Sequence, residues 1–250
     1  ISMRKSSGSG VRPFLFVVRA VLLIVFLFSG YLLSDYLIEL YQLKNMQREM
    51  TDIYEESVWM NKENGKRELA FEQLRGINED IVGWISIDGT SIDYPVVQTD
   101  DNIYYLSHSI YKEESSAGTI FMDCRNGASP LDKNTVLYGH HMKNGMMFHD
   151  LTSYKEEAFY KRHPYVEYSG EDGVGKWEVF SAYVTSTADN YIETDFGIEE
   201  DFEQFLERIV SKSLYHTGCE LKGTDKILTL STCSYEFDDA RMVVHAKLME

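Results

Sequence analysis

From Phe14 to Leu33 the chain runs through twenty residues with one charged member, Arg19. At about 1.5 Å per residue a helix of that length covers about 30 Å, the thickness of a hydrocarbon core, so the pattern predicts one membrane span. Arg19 falls in its first turns, where a long side chain can snorkel to the interface. Arg4, Lys5 and Arg12 precede the span and no acidic residue occurs before Asp35. Positive flanks stay on the cytoplasmic side, which predicts a cytoplasmic basic N-terminus at 1–13, a signal anchor at 14–33 and an extracellular remainder. A cleaved signal peptide is the alternative, but Tyr31-Leu32-Leu33 is not a small-residue cleavage site. Ile1 and Ser2, ahead of Met3, read as an added scar and are set aside.

Beyond the span the apolar positions Leu37, Leu40, Tyr41, Met46, Met50, Ile53 and Tyr54 keep helical spacing. They predict a helical stalk over 34–76 that packs partly on the C-terminal domain, with a break in the charged run 61–68 around Gly65. The heptads are too interrupted to specify a coiled coil. At Ile81 the period drops to two: Ile81 to Ile87, a turn at Asp88-Gly89, then Ile92 to Val97, which is a hairpin. Strand-like runs recur at 118–123, 135–138, 165–169, 176–185, 226–233 and 241–248. Many short strands at this spacing predict a mostly antiparallel barrel or sandwich filling 77–250 as one domain. Two helices interrupt it, at 151–160 and at 199–214, the second with Phe202, Phe205, Leu206, Ile209 and Val210 on one face.

The chain has 250 residues, 44% of them hydrophobic, with 17 Tyr, 13 Phe and 3 Trp, ample material for a core. Its formal charge of −16 argues against nucleic-acid binding, since phosphate affinity comes largely from Lys and Arg. Four of the 24 basic residues precede Asp35, leaving 20 against 40 acidic in the rest, a charge of −20. Three cysteines, Cys124, Cys219 and Cys233, give an odd count for an exported chain, so at least one thiol is left unpaired. Burial as a small inert hydrophobe is the plain explanation for any one of them. No CxxC or Cys/His spacing suggests zinc.

Cys233 ends the alternating run Ile227-Leu228-Thr229-Leu230-Ser231-Thr232-Cys233, so it shares a face with Ser231 and Thr229, opposite the leucines. The thiol therefore points from the more polar face, which sets it above the other two cysteines as a nucleophile. The segment 234–240 is short enough to return Arg241 beside it. A guanidinium there would favour a thiolate or hold an oxyanion, though pairing with Glu236, Asp238 or Asp239 explains Arg241 equally well. A cysteine nucleophile also needs a proton carrier. His140 and His141 follow a strand and Gly139, a position that favours presentation, and spacing does not choose between them. His245 lies about 13 Å along the strand from Arg241 and reads as structural. His108, His149, His163 and His216 fall in loops or helix ends and read as solvated.

Thr229-Leu230-Ser231-Thr232-Cys233 followed by Arg241, with Tyr138-Gly139-His140-His141-Met142 upstream, resembles the sortases, the cysteine transpeptidases of Gram-positive-type cell surfaces. The opening Ile81-Val82-Gly83-Trp84-Ile85 to Tyr94-Pro95-Val96-Val97-Gln98, the run Gly139 to Phe148 and the long helix before the cysteine strand resemble class B. The resemblance covers about residues 75–248. It implies a closed eight-stranded sortase-type barrel with Cys233 as nucleophile, His140 as general acid and then base, and Arg241 as oxyanion stabiliser. It also implies substrate contacts at Ser231 and Thr232. The acidic calcium pocket of class A has no counterpart, so neither metal nor cofactor is expected.

The implied partners are secreted proteins bearing a C-terminal sorting signal and, as amine acceptor, peptidoglycan or its lipid-linked precursor, with the membrane engaged through one helix and no nucleic acid. The implied reaction cleaves an Asn/Ser-Pro-x-Thr-type signal after Thr through a thioester. With reference pKa values of about 8.5 for a thiol and about 6.5 for imidazole, a neutral resting pair is expected. An extracellular cysteine peptidase acting on wall peptides is one alternative, but its nucleophile usually opens a helix and an Asn or Asp orients its histidine. A non-catalytic tethered surface protein is the other.

Overall fold

A computed structural model describes residues 11–62, 68–127, 132–170 and 173–249. Most of the expected cytoplasmic segment, and residues 63–67 of the expected break, lie outside the described residues. The chain forms two compact units, one ending at Glu49 and one beginning at Met50. Helix α1 (Val11–Lys62) runs from the first into the second. From Phe14 to Leu33 it is apolar all round apart from Arg19, with Phe16 and Phe26 more than 70% exposed, and it holds one stretch long and apolar enough to cross a membrane. Apolar side chains on every face suit a lipid environment rather than water.

The second unit holds α2 (Glu68–Ile77) and a closed barrel of eight strands. The strands are β1 (Ile81–Ser86), β2 (Asp93–Val97), β3 (Phe121–Met122), β4 (Asn134–Tyr138), β5 (Tyr165–Gly170), β6 (Gly173–Ser186), β7 (Ile227–Cys233) and β8 (Ala240–Leu248). Their order is β1-β2-β3-β4-β7-β8-β6-β5, and β5 returns to pair with β1. The β2–β3 and β4–β7 pairs are parallel and the other six antiparallel. Closure leaves no long edge for another chain to pair with. The β1–β2 hairpin turns where expected, with Gly89 at φ +75, a conformation that favours glycine.

Two further helices decorate the barrel, α3 (Glu157–Arg162) and α4 (Glu199–Ser211). Helix α4 buries Phe202, Phe205, Leu206 and Ile209 against Phe180 and Tyr183 of β6, Ile227 of β7 and Val243 of β8. Val210, expected on that face, is 37% exposed, because the helix ends at Ser211 and Val210 lies at the edge of its apolar stripe. The helix expected over 151–160 is instead a 3-10 segment, His149–Lys155, followed by the short α3, with a split at Glu156, whose backbone is extended. The strand expected at 118–123 shrinks to Phe121–Met122. Gly118 takes φ +59 there and Thr119 N–H is spent on the carbonyl of Tyr105 at 3.0 Å.

The end of α1 belongs with the barrel. Tyr54 stacks on Trp84 at 4.4 Å between ring centres and donates to Ser169 Oγ at 2.9 Å. Trp84 Nε1 donates in turn to Asp93 Oδ1 at 2.7 Å. That cover explains why both faces of β1 are largely buried although its sequence alternates.

Candidate active site

Cys233 is the last residue of β7 and Arg241 the second of β8, and the antiparallel register sets them directly opposite each other. Paired residues of this kind project to the same face with Cβ atoms about 5 Å apart. The loop at 234–239 is thus short enough to return the guanidinium to the thiol. Arg241 Nη1 donates to the carbonyl of Ala240 at 3.0 Å, and none of its hydrogen bonds among the described residues goes to Glu236, Asp238 or Asp239. Glu236 pairs with Lys155 instead.

The third group arrives from β4, parallel to β7, with Tyr138 level with Ser231. Just past it, Gly139 N–H donates to Ser231 O at 3.2 Å and Thr232 Oγ1 donates to Gly139 O at 2.7 Å. The turn is packed so closely that a Cβ on Gly139 would lie 2.3 Å from Ile120 Cδ1. Only glycine passes there, and the next side chain, His140, shares a groove with Cys233 and lies close enough for each group to shift the other's pKa. His140 Nε2 meets the carbonyl of Leu106 at 2.7 Å. A carbonyl only accepts, so Nε2 carries the hydrogen and Nδ1 is the one ring nitrogen of the neutral tautomer able to take a proton.

The electrostatics match this arrangement. His140 lowers the Cys233 pKa, burial opposes it, and the Arg241 charge lowers it further. The thiol in turn raises His140, with burial opposing and the Leu106 carbonyl assisting. Cys219 behaves in the opposite way: burial, then the neighbouring Glu178, pushes its thiol up to about 11. Cys124 donates its backbone N–H to Asn102 Oδ1 at 2.8 Å, and all three thiols are free.

The other histidines separate by environment. The His141 ring lies 4.9 Å from that of His149 and 5.1 Å from that of Tyr235, and burial followed by His149 lowers its pKa, with the Cys233 backbone opposing. His245 is fully buried between Tyr183 Oη at 3.0 Å and Thr229 Oγ1 at 2.8 Å. His108, His149 and His163, expected to be solvated, each hold a backbone carbonyl at 2.8 Å: those of Tyr104, Met142 and Asp88. Their rings serve as loop clips, and the sequence carries no sign of that because the acceptors are main-chain atoms.

A groove of about 320 Å³ opens beside Cys233, with Asn102, Leu106, Tyr138, Thr187, Tyr191 and Ile192 among the residues lining it. Ser231 and Thr232 also line it, yet both are 2% exposed and their hydroxyls are engaged, Ser231 with Tyr191 Oη at 2.9 Å and Thr232 with Gly139 O. The expected polar face of β7 is therefore real but covered by α4 and the segment before it. Tyr191, Ile192 and the Leu106 carbonyl were not foreseeable from the sequence because they lie in irregular segments whose position only tertiary contacts define. Among the described residues no cluster of three His, Cys, Asp or Glu could hold a metal ion.

Similarity to known proteins bears on this site at three levels. Residues 85–249 match the family model described as the sortase domain. Sortase B of Listeria monocytogenes is 41% identical over 92% of this chain and 94% of its own length, and sortase B of Staphylococcus aureus 37% identical over 96% and 98%. Among solved structures, the Staphylococcus aureus sortase B-substrate complex superposes with a TM-score of 0.79 at 38% identity, covering 85% of this chain and 99% of that one. Sortase B of Clostridium perfringens superposes at 0.69 with 42% identity, covering 72% and 99%. With the barrel matched from hairpin to last strand and class B relatives aligned along nearly the whole chain, this chain belongs to the sortase family, in its class B branch.

Proposed function

We propose that this chain is a membrane-anchored cysteine transpeptidase that cleaves an Asn/Ser-Pro-x-Thr-type sorting signal after Thr and joins the acyl group to a peptidoglycan amine. The observation that carries the proposal is the pairing of Cys233 with Arg241 across β7–β8, with His140 lining the same groove. Residues 1–13 lie in the cytoplasm, 14–33 cross the membrane and the catalytic domain at 77–250 faces outward, in keeping with the apolar part of α1. The relative solved with a substrate, and a sortase B solved in complex with triglycine, support a peptide donor and an amine acceptor.

The chemistry follows from the charges. Cys233 Sγ, as thiolate, attacks the threonine carbonyl carbon, and the Arg241 guanidinium faces the oxyanion that forms. When the C–N bond breaks, the departing amine takes a proton from the His140 imidazolium and leaves a thioester on Cys233. An incoming amine attacks the thioester, His140 takes its proton, and the thiolate departs with the amide formed. Ser231 and Thr232 stand beside the bound peptide as part of the groove wall, and Thr232 also secures the turn that carries His140.

The full chain in detergent, incubated with triglycine and a peptide carrying Asn-Pro-x-Thr followed by further residues, tests this. An amine adduct that disappears with Cys233→Ala is the expected product. Hydrolysis alone in the presence of excess amine would make the chain a peptidase instead.

A further inference from the structure

Asp123 takes no part in the chemistry above, yet its side chain is entirely buried at the back of the groove. A carboxylate out of water is costly unless its lone pairs are filled. Here four donors fill them. Arg125 supplies its backbone N–H at 2.9 Å and Nε at 2.8 Å to Oδ1, and Nη2 at 2.7 Å to Oδ2. Tyr138 Oη donates to Oδ2 at 2.7 Å. The Arg125 fork reaches further, since Nη2 also donates to the carbonyl of Ile192 at 2.8 Å.

The turn at 123–125 therefore touches three walls of the groove at once. Tyr138 is held through Asp123, Ile192 through Arg125, and Asn102 through the Cys124 backbone N–H. Ile192 needs such a hold, because the chain between β6 and α4 contains neither helix nor strand. Other tethers hold that stretch: Asn134 Nδ2, at the far end of β4, donates to Glu193 O at 2.7 Å, Arg208 Nη2 to Asn190 O at 2.9 Å, and Tyr191 Oη meets Ser231 Oγ at 2.9 Å. None of those is made to the Tyr138 side chain. Of these ties only Arg125, through Asp123, links the Tyr138 hydroxyl to Ile192, by a planar fork that a point charge cannot reproduce.

We propose that Arg125, seated on Asp123, is a positioning residue for the sorting signal: it fixes the spacing between Tyr138 and Ile192 and so sets the affinity of the groove for its peptide. It does so without acting on Cys233. The inference rests on the groove being the peptide site, as proposed above.

Arg125→Lys separates this role from simple neutralisation of Asp123, because the ammonium keeps the charge but not the fork. The full chain in detergent, with the same extended Asn-Pro-x-Thr peptide and triglycine, gives KM and kcat, while iodoacetamide alkylation of Cys233 reads the nucleophile separately. For Arg125→Lys and Arg125→Met the expected result is a KM raised about tenfold, the loss of one charge-assisted hydrogen bond, with kcat within about twofold. The alkylation rate and its pH midpoint stay at wild-type values. An unchanged KM in Arg125→Lys, with Arg125→Met only less stable, would reduce Arg125 to a counter-charge and overturn the proposal. A fall in alkylation rate would overturn it too, by placing the effect at the thiol. Failure of the underlying reading shows separately, as peptide turnover that survives Cys233→Ala.

Discussion

At the scale of single residues, the pairing of His140 with Cys233 makes a prediction in pH. The thiol is held below its ordinary value, chiefly by His140, and the imidazole is raised above its own, chiefly by the thiol. Thiolate accumulates as pH rises through the lowered value, and imidazolium disappears as pH rises through the raised one. The two limbs of the activity profile therefore lie closer together than those of an unpaired thiol and imidazole. Alkylation of Cys233 by iodoacetamide should show a midpoint below that of an ordinary thiol, which moves upward in His140→Gln and less far upward in Arg241→Gln. A midpoint unmoved by His140→Gln would mean that the imidazole does not tune the thiol. The pairing of Cys233 with Arg241 was legible in the sequence, since a strand ending in Cys233 and one beginning near Arg241 must meet if they form a hairpin. Only the family resemblance pointed to His140; spacing did not choose between it and His141, because adjacent residues differ only in which way the turn throws them. That direction comes from Thr232 holding Gly139 O and from the Leu106 carbonyl, a main-chain atom far away in sequence.

At the scale of elements, the alternation of β7 and its length were visible in the residue pattern, but what covers its polar face was not. Thr229 and His245 sit beneath α4, whose Phe205 ring approaches the imidazole at 6.4 Å. Burial drives His245 down to about 3, with Lys212 adding to the effect and Asp189 opposing it. The folded-state value lies below the ordinary 6.5, so the unfolded chain binds a proton that the folded chain refuses across that interval. Stability from this site is complete above pH 6.5 and is lost, at up to about 1.4 kcal/mol per pH unit, as pH falls toward 3. The melting temperature should drop between about pH 7 and about pH 4, and His245→Gln should melt lower at neutral pH but with a shallower dependence on pH. Parallel curves for the two proteins would remove His245 from the acid response. The short β3 and the broken helix near Glu156 escaped prediction for different reasons: Thr119 N–H is drawn to the distant Tyr105 carbonyl, whereas Glu156 takes an extended backbone between Ser153, whose carbonyl holds its N–H, and the first turn of α3, a local break that apolar spacing does not signal.

For the whole molecule, the compact catalytic unit starts at Met50 rather than at the beginning of the barrel. A chain beginning at Ile77 lacks the Tyr54 ring that stacks on Trp84, the hydrogen bond to Ser169 and all but the last residue of α2 with its buried Phe71 and Leu74, whereas one beginning at Met50 keeps them. The shorter chain should be less stable in urea by more than about 3 kcal/mol, since large buried side chains are lost along with the aromatic pair and the hydrogen bond. Equal midpoints and slopes would show that α1 is only a tether. The helical character of 34–76 could be read from its apolar spacing, but the point where stalk becomes domain depends on which of its aromatic residues finds a partner on β1. The proposed function turns on one covalent event, the transfer of a peptide acyl group to Cys233. Intact-protein mass spectrometry after mixing with a peptide carrying Asn-Pro-x-Thr followed by further residues, quenched in acid, measures it directly. The expected result is an added mass equal to the peptide through its threonine, mapped to Cys233, lost on adding triglycine and absent from Cys233→Ala. A protein that turns over the peptide without ever carrying that mass, or carries it on Cys124 or Cys219, would contradict the assignment.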